Sequence, residues 1–174
     1  MFEKAKLKSN EILKTFSISS APIPVESIAE SLGIKISYAP SNEYSGILIR
    51  KTDGVILMGI NNSESIQRMR FTIAHELGHF LMDRQKVTVD YRNKNYESSA
   101  KPAKEKQADF FAANLLMPES FVKSDFESVT SDNVFLENDL EKMANNYQVS
   151  KEAMKYRLIN LGLIKQVPVA DFTF

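Results

Sequence analysis

The two histidines of this 174-residue chain lie four residues apart, in the pentapeptide His75-Glu76-Leu77-Gly78-His79. Residues i and i+4 project from one face of a helix, so both imidazoles can converge on one cation, about 2.0 to 2.1 Å from each nitrogen. Glu76 lies about 100° further round the helix axis, where it can reach a metal-bound water without ligating the metal. The spacing predicts a metal site with a general base. The alternative is a pair of histidines on a solvated helix.

The sequence around the pentapeptide predicts a helix. No proline occurs between Ser63 and Asp83, and the one glycine there is Gly78, a small residue that lets another segment approach closely. We expect Asn61, Asn62 or Ser63 to cap the start of the helix. Apolar residues recur at helical spacing opposite the histidines and predict a packing face: Met69, Ile73, Leu77 and Phe80.

A third protein ligand must come from a carboxylate, because the chain has no cysteine and no further histidine. A second helical pattern runs from about Lys101 to Met117 and stops at Pro118, and Glu105 and Asp109 share one of its faces. We predict Glu105 as the third zinc ligand and Asp109 as the acceptor of the outer N–H of a liganding histidine. The alternative, solvated charges among lysines, is disfavoured by the apolar run that follows Asp109.

Two blocks of this sequence resemble the ImmA/IrrE family of metallopeptidases. The first is Arg70-Phe71-Thr72-Ile73-Ala74-His75-Glu76-Leu77-Gly78-His79, and the second runs from Glu105 to Pro118. The resemblance is strongest from about Pro24 to Pro118. It implies a gluzincin-like zinc site with His75, His79 and Glu105 as ligands and Glu76 as catalytic base. It also implies cytoplasmic cleavage of a helix-turn-helix repressor, often one encoded nearby in a mobile element, prophage or stress-response locus.

The predicted fold class is α+β, with a helical zincin-like core, a small and mainly antiparallel sheet, and a C-terminal unit like a helix-turn-helix. A short helix begins at Pro24 and ends at Gly33, and the Asp53-Gly54 pair indicates a hairpin. If the predicted strand Val55–Ile60 lies at a sheet edge, it could bind an extended peptide; the alternative is an ordinary core strand. The segment Asp90–Ser99 is interpreted as a mobile surface connection. The predicted strands are Ile34–Tyr38, Gly46–Arg50 and Val55–Ile60.

The C-terminal part outlines two helices joined near Gln148–Ser150, with Ser150 as N-cap and Gly162 as stop. Four basic residues between Val134 and Ile164 are balanced by four acidic ones, which argues against a helix that reads DNA. We interpret this unit as a packing or partner-docking element. The predicted division is a metallopeptidase core over 1–125, a helical appendage packed on it over 126–164, and a tail over 165–174 that forms an added strand or a flexible end.

The composition excludes several classes of protein. Lysine plus arginine equals aspartate plus glutamate at 22 each, so no overall field favours nucleic acid or membrane. The absence of cysteine excludes disulfides and fits a reducing compartment. Met1–Phe16 reads as an amphipathic helix and not as a signal peptide, and no stretch is long enough to span a bilayer. We therefore expect a cytoplasmic protein.

The leading hypothesis is a zinc-dependent endopeptidase that cleaves a protein substrate, with Glu76 assisting the attack of a metal-bound water. Two alternatives are a DNA-binding regulator that uses the C-terminal helices and a repressor-binding module with a structural or idle metal site. A peptide deformylase shares the histidine motif but usually adds a cysteine ligand, which is absent here. Nearby arginines and four tyrosines are candidates to stabilise the oxyanion: Tyr44, Tyr91, Tyr96 and Tyr147.

Overall fold

A computed structural model describes residues 2–91, 101–130 and 135–165. Within these ranges the chain forms seven helices and four strands, which confirms the predicted α+β class. The helices are α1 (Phe2–Thr15), α2 (Val25–Ser31), α3 (Ile66–Met82), α4 (Ala103–Leu116), α5 (Glu119–Val129), α6 (Glu137–Tyr147) and α7 (Lys151–Asn160). The strands are β1 (Ile34–Ala39), β2 (Tyr44–Arg50), β3 (Ile56–Asn61) and β4 (Val87–Tyr91).

The four strands form one sheet in the order β1-β3-β2-β4. Strand β1 pairs with β3 in parallel, whereas β2 pairs with both β3 and β4 antiparallel, so the sheet is mainly antiparallel as predicted. The predicted hairpin joins β2 to β3, where Lys51 N donates to Val55 O at 2.9 Å and Gly54 has φ +86°. A glycine suits this left-handed turn conformation because it has no Cβ to clash.

The hypothesis that Val55–Ile60 lies at a sheet edge is wrong. Strand β3 lies between β1 and β2, and its residues Met58 and Ile60 are buried, as a central strand requires. The interpretation of Asp90–Ser99 as a connection is also wrong at its start, because Asp90 and Tyr91 belong to β4. Residues 92–99 of that segment lie outside the described ranges.

Helix α3 is the central helix, and its start differs from the prediction. Ser65 is the N-cap, with its Oγ accepting from Arg68 N at 3.2 Å. The Asn61 side chain is already used in the preceding loop, because its Nδ2 donates to Ser41 O and Tyr44 O. The Oδ1 of Asn61 accepts from both the N and the Oγ of Ser63. The side chains of Asn61 and Ser63 therefore bond to this loop and do not cap the helix.

The packing of α3 agrees with its predicted faces. Ile73 and Leu77 are fully buried, and Met69 and Phe80 are partly buried against the same core. Gly78 faces α4, and a Cβ built on it would lie 3.2 Å from the Cα of Ala108. The expected close approach of a second segment at Gly78 is therefore confirmed.

The C-terminal helices pack on the same hydrophobic core as the rest of the chain. Ser150 caps α7 as predicted, with its Oγ accepting from Ala153 N at 3.1 Å, and Gly162 has φ +71° just beyond the end of that helix. The predicted boundary between 125 and 126 falls inside α5, and the domain division stays a prediction. Residues 166–174 of the predicted tail lie outside the described ranges. Across those ranges, every helix is too short or too polar to cross a bilayer.

Candidate metal centre

Helices α3 and α4 bring the three predicted ligands together. The Nε2 atoms of His75 and His79 lie 3.1 Å apart on one face of α3. Glu105, in the first turn of α4, places Oε2 3.6 Å from Nε2 of His75 and Oε1 3.3 Å from Nε2 of His79. Both histidines are buried, and the side chain of Glu105 is 17% exposed.

The donor set fits a zinc ion. Ligand atoms about 2.0 to 2.1 Å from a tetrahedral zinc lie roughly 3.3 to 3.4 Å from one another. The three observed separations are 3.1, 3.3 and 3.6 Å, close to that value. Two imidazoles and one carboxylate are also the donors of catalytic zinc sites that keep a fourth position for water or substrate. The arrangement can therefore hold zinc without a large movement of either helix.

Asp109 orients His75. Its Oδ1 accepts a hydrogen bond from Nδ1 of His75 at 2.9 Å, which leaves Nε2 of the same ring for a cation. The other oxygen of Asp109 pairs with the ammonium group of Lys101. Burial opposes ionisation of Asp109, but the hydrogen bonds from His75 and Lys101 outweigh it and lower the pKa of the carboxyl. For His75, burial alone would lower the pKa, but the hydrogen bonds to Asp109 and Glu105 have the larger effect, and the pKa rises to about 9.

His79 is held more loosely on its outer side. Its Nδ1 lies 3.9 Å from Oδ2 of Asp83, beyond hydrogen-bonding distance. Asp83 ends α3 and pairs through Oδ1 with Lys104 at 3.1 Å. Arg50 of β2 fixes this helix end, because its Nη2 donates to the carbonyls of His79 and Phe80 at 3.1 and 3.0 Å. Asp83 was not among the predicted site residues, although its i+4 position after His79 is a usable signal.

Glu76 is fully buried beside the sheet. Its Oε2 accepts from Oγ1 of Thr88 on β4 at 2.8 Å, whereas Oε1 has no hydrogen-bond partner in the described part of the chain. Gly46 on β2 lies so close that an added Cβ would be 3.2 Å from Oε1. Burial raises the pKa of the Glu76 carboxyl above its usual value, as a group that accepts and returns protons needs. Thr88 had no sequence signal, since it lies on a strand that was not predicted.

Two of the tyrosines named as candidates for oxyanion stabilisation, Tyr147 and Tyr91, face away from the metal centre. Tyr147 of α6 is fully buried, and its hydroxyl donates to Oδ2 of Asp125 on α5 at 2.7 Å. Tyr91 follows Thr88 by three residues in β4, so strand alternation turns it away from the face that holds Glu76. Tyr44 pairs with Tyr91 in the sheet register, and Tyr96 lies outside the described ranges.

A protein-family model and a solved structure match this chain. A protein-family model, Peptidase_M78, described as the IrrE N-terminal-like domain, matches residues 29–159. No curated protein matches the chain. Among solved structures, a Mycobacterium tuberculosis transcriptional regulator matches with a TM-score of 0.56 at 13% identity, over 90% of this chain and 46% of that chain.

The two kinds of match carry different weight. At 13% identity the structural match shows a shared fold, and this chain spans about half the length of that regulator. The family match covers most of the chain, including all of α3 and α4 and therefore the three candidate ligands and Glu76. The chain belongs to the Peptidase_M78, IrrE N-terminal-like, family of zinc-dependent metallopeptidases.

Proposed function

We propose that this protein is a zinc-dependent endopeptidase whose ligands are His75, His79 and Glu105 and whose general base is Glu76. The observation that carries the proposal is the convergence of these three donors at separations that fit one zinc ion. The buried Glu76 carboxylate on the same helix adds the base that such a site needs. Membership of a zinc-dependent peptidase family supports both assignments.

In the proposed reaction, a bound zinc ion supplies Lewis acidity toward the scissile carbonyl and lowers the pKa of a water molecule. Glu76 removes a proton from the attacking water through Oε1, the oxygen that accepts no hydrogen bond from a described residue. Thr88 holds Oε2 and thereby fixes the carboxylate. Glu76 then passes the proton to the leaving amine nitrogen. Asp109 keeps the His75 ring in the tautomer that presents Nε2.

We further propose that the substrate is a helix-turn-helix repressor. The support for this finer statement is the resemblance of the two motif blocks to the ImmA/IrrE family together with the match to the IrrE N-terminal-like domain. The experiment incubates the zinc-loaded protein with the repressor encoded beside it and with unfolded β-casein as a general substrate. Glu76→Gln is the test variant. Glu11→Gln is the matched control, because Glu11 lies on α1 and forms an exposed ion pair with Lys8.

Wild type and Glu11→Gln are expected to cut the repressor at one discrete site, and Glu76→Gln to bind zinc and fold normally but not cut. General acid–base assistance contributes about 10²- to 10⁴-fold in rate, so residual cleavage by Glu76→Gln should fall by at least that lower factor. Undiminished cleavage by Glu76→Gln would refute the mechanism. Cleavage of casein without cleavage of the repressor would refute the substrate but keep the enzyme.

A DNA-binding regulator is the second candidate, because α6 and α7 form a two-helix unit joined by a left-handed Gln148 and the matched solved structure is titled a transcriptional regulator. The balanced charge of this unit disfavours phosphate binding. Duplex binding that weakens steeply with salt and survives His75→Ala would favour this candidate. A third candidate, an idle metal site in a repressor-binding module, would show tight repressor binding with one zinc and no cleavage.

A further inference from the structure

A groove lies between α3, α4 and α7. It consists of two adjoining cavities with volumes of about 340 and 1160 Å³. The two cavities are continuous because five residues line both of them: Arg68, Phe71, Met117, Ala153 and Tyr156. Phe71 and Arg68 belong to α3, and Ala153 and Tyr156 belong to α7. Helix α7 therefore forms one wall and α3 the other.

Two residues that line the groove, Asp109 and Phe71, adjoin His75. Asp109 lines the larger cavity and is the residue whose Oδ1 accepts from Nδ1 of His75 at 2.9 Å. Phe71, one helical turn before His75, has its ring centroid 6.3 Å from the His75 ring. An extended chain advances about 3.3 Å per residue. Two residues of extended chain therefore span the 6.3 Å between the His75 and Phe71 rings.

Helix α7 is held firmly in this position. Arg157 is 7% exposed, and its Nε donates to the carbonyl of Met117 at 2.9 Å. Its Nη2 donates to Oδ1 of Asn114 at 3.0 Å, so two hydrogen bonds tie α7 to the C-terminal end of α4. The wall of the groove is therefore fixed relative to the helix that carries Glu105. A side chain bound against α7 has a defined distance to the metal centre.

The lining of the smaller cavity favours an apolar occupant. Tyr156 is 57% exposed on α7 and faces the smaller cavity together with Phe71, Met117 and Val149. Arg68 is the basic residue that lines this cavity, but its Nη2 already donates to Asp90 at 2.9 Å and its guanidinium lies 5.6 Å from the Phe71 ring. A charge engaged in this way is a poor anchor for phosphate or carboxylate. An exposed aromatic beside a cavity is a typical contact for a large apolar side chain.

We propose that α7 is the specificity wall of the substrate groove, where Phe71 and Tyr156 bind a large apolar side chain of the substrate within two residues of the scissile bond. This inference rests on the proposed peptidase function. It assigns the C-terminal helices to substrate recognition. Because apolar side chains are buried in folded proteins, such a pocket selects segments that have locally unfolded.

The test measures binding and cleavage separately. Binding uses a fluorescein-labelled ten-residue peptide with two central phenylalanines and a twin with two central aspartates, each titrated with the zinc-loaded Glu76→Gln protein. Tyr156→Ala and Phe71→Ala are then added to that background. Tyr38→Ala is the matched control, because Tyr38 is another tyrosine 45% exposed but lies on β1. Cleavage of the phenylalanine peptide is followed in the same variants with Glu76 intact.

We expect Tyr156→Ala to raise the Kd of the phenylalanine peptide about 10-fold, equivalent to ~1.4 kcal/mol, and to leave the weaker aspartate peptide unchanged. In the active background, KM should rise about 10-fold while kcat changes less than twofold. An unchanged Kd in Tyr156→Ala and Phe71→Ala, or no binding of the phenylalanine peptide, would overturn the groove assignment even if cleavage occurs. Binding that depends on Tyr156 without any cleavage would instead refute the peptidase function and keep the groove.

Discussion

Replacing Gly46 by alanine tests the packing around Glu76. Gly46 is a buried residue of β2, and a Cβ built on it would lie 2.4 Å from Cγ2 of Thr72 on α3. The same Cβ would lie 3.2 Å from Oε1 and 3.3 Å from Cγ of Glu76. Thr72 is fully buried and β-branched, so its methyl group has little freedom to move away.

The expected magnitude follows from two opposing effects. Overpacking a well-packed core costs about 1 to 3 kcal/mol. Alanine recovers roughly 0.5 to 1 kcal/mol relative to glycine within a strand, because the unfolded chain loses less freedom. The two ranges leave a net loss of about 0 to 2.5 kcal/mol, and because a 2.4 Å contact makes the overpacking cost large, we expect a loss of about 1 to 2 kcal/mol for Gly46→Ala. For a chain of this size that loss lowers Tm by roughly 2 to 8 °C, at about 2 to 4 °C per kcal/mol.

A double-mutant cycle isolates the clash. Thr72→Ser deletes only Cγ2, the atom that the new Cβ would meet. Alone, it should cost about 0.8 kcal/mol, the value of one buried methylene. Combined with Gly46→Ala, it should restore stability to within about 1 kcal/mol of wild type. The free energies come from urea unfolding of the zinc-free proteins.

Additive losses in the Gly46→Ala/Thr72→Ser protein would refute this reasoning, because contacting residues are expected to couple by 0.5 to 3 kcal/mol. Gly59→Ala on β3 is the matched control, since its Cβ would meet Cγ2 of Ile47 at 2.8 Å. It should lose stability without changing the cleavage rate per folded molecule. Gly46→Ala should slow cleavage in addition, because its Cβ touches the Glu76 carboxylate.

Three further predictions concern Asp109, Arg157 and Glu119. Asp109→Asn should weaken zinc binding about 10- to 100-fold in a competition titration, because it removes the carboxylate that orients His75. Arg157→Met should lower the free energy of unfolding by about 2 to 4 kcal/mol without changing zinc content, because it removes two buried hydrogen bonds from a charged donor. Hydrogen bonds from Lys123 and Lys6 lower the pKa of Glu119 to about 2. Because that folded-state pKa lies below the ordinary value of 4.5, ionised Glu119 stabilises the fold. The excess in the free energy of unfolding of wild type over Glu119→Gln is full above pH 4.5 and disappears as pH falls toward 2.

Control variants or contradicting results check these three predictions. Asp53→Asn, in the hairpin turn, should leave zinc affinity unchanged, and an equal loss in both variants would refute the role of Asp109. Lys155→Met, on the exposed face of α7, should leave stability near wild type. Glu119 is one-third exposed, so its stabilisation at pH 6 is at most about 1 kcal/mol after solvent screening. A difference from Glu119→Gln that grows on acidification would contradict the assigned pKa.

The part of the site that follows helical spacing was predictable from the sequence. The positions of His75 and His79 fix their common face on α3, and the absence of cysteine and of other histidines directs the search for a third ligand to carboxylates. Glu105 and Asp109 share a face of α4 for the same periodic reason. The small Gly78 indicated that the two helices approach closely, as the structure shows.

The parts that were missed depend on contacts between distant segments. Thr88 reaches Glu76 from a five-residue strand, too short for a clear periodic signal. Strand β3 is interior because it pairs in parallel with β1 and so lies between β1 and β2, which are consecutive in the sequence; this arrangement has no local sequence signature. The N-cap is Ser65 and not Asn61, because the Asn61 side chain makes its hydrogen bonds within the preceding loop. The groove combines Phe71 with Tyr156, which lie on helices 85 residues apart in sequence.

The most direct test of the account measures zinc content and cleavage in the same preparations of wild type, Glu76→Gln and Glu105→Ala. We predict one zinc per chain with cleavage for wild type, one zinc without cleavage for Glu76→Gln, and loss of both for Glu105→Ala. Full zinc occupancy in Glu105→Ala would contradict the two-helix metal site. Cleavage by Glu76→Gln at the wild-type rate would contradict the assignment of Glu76 as the base.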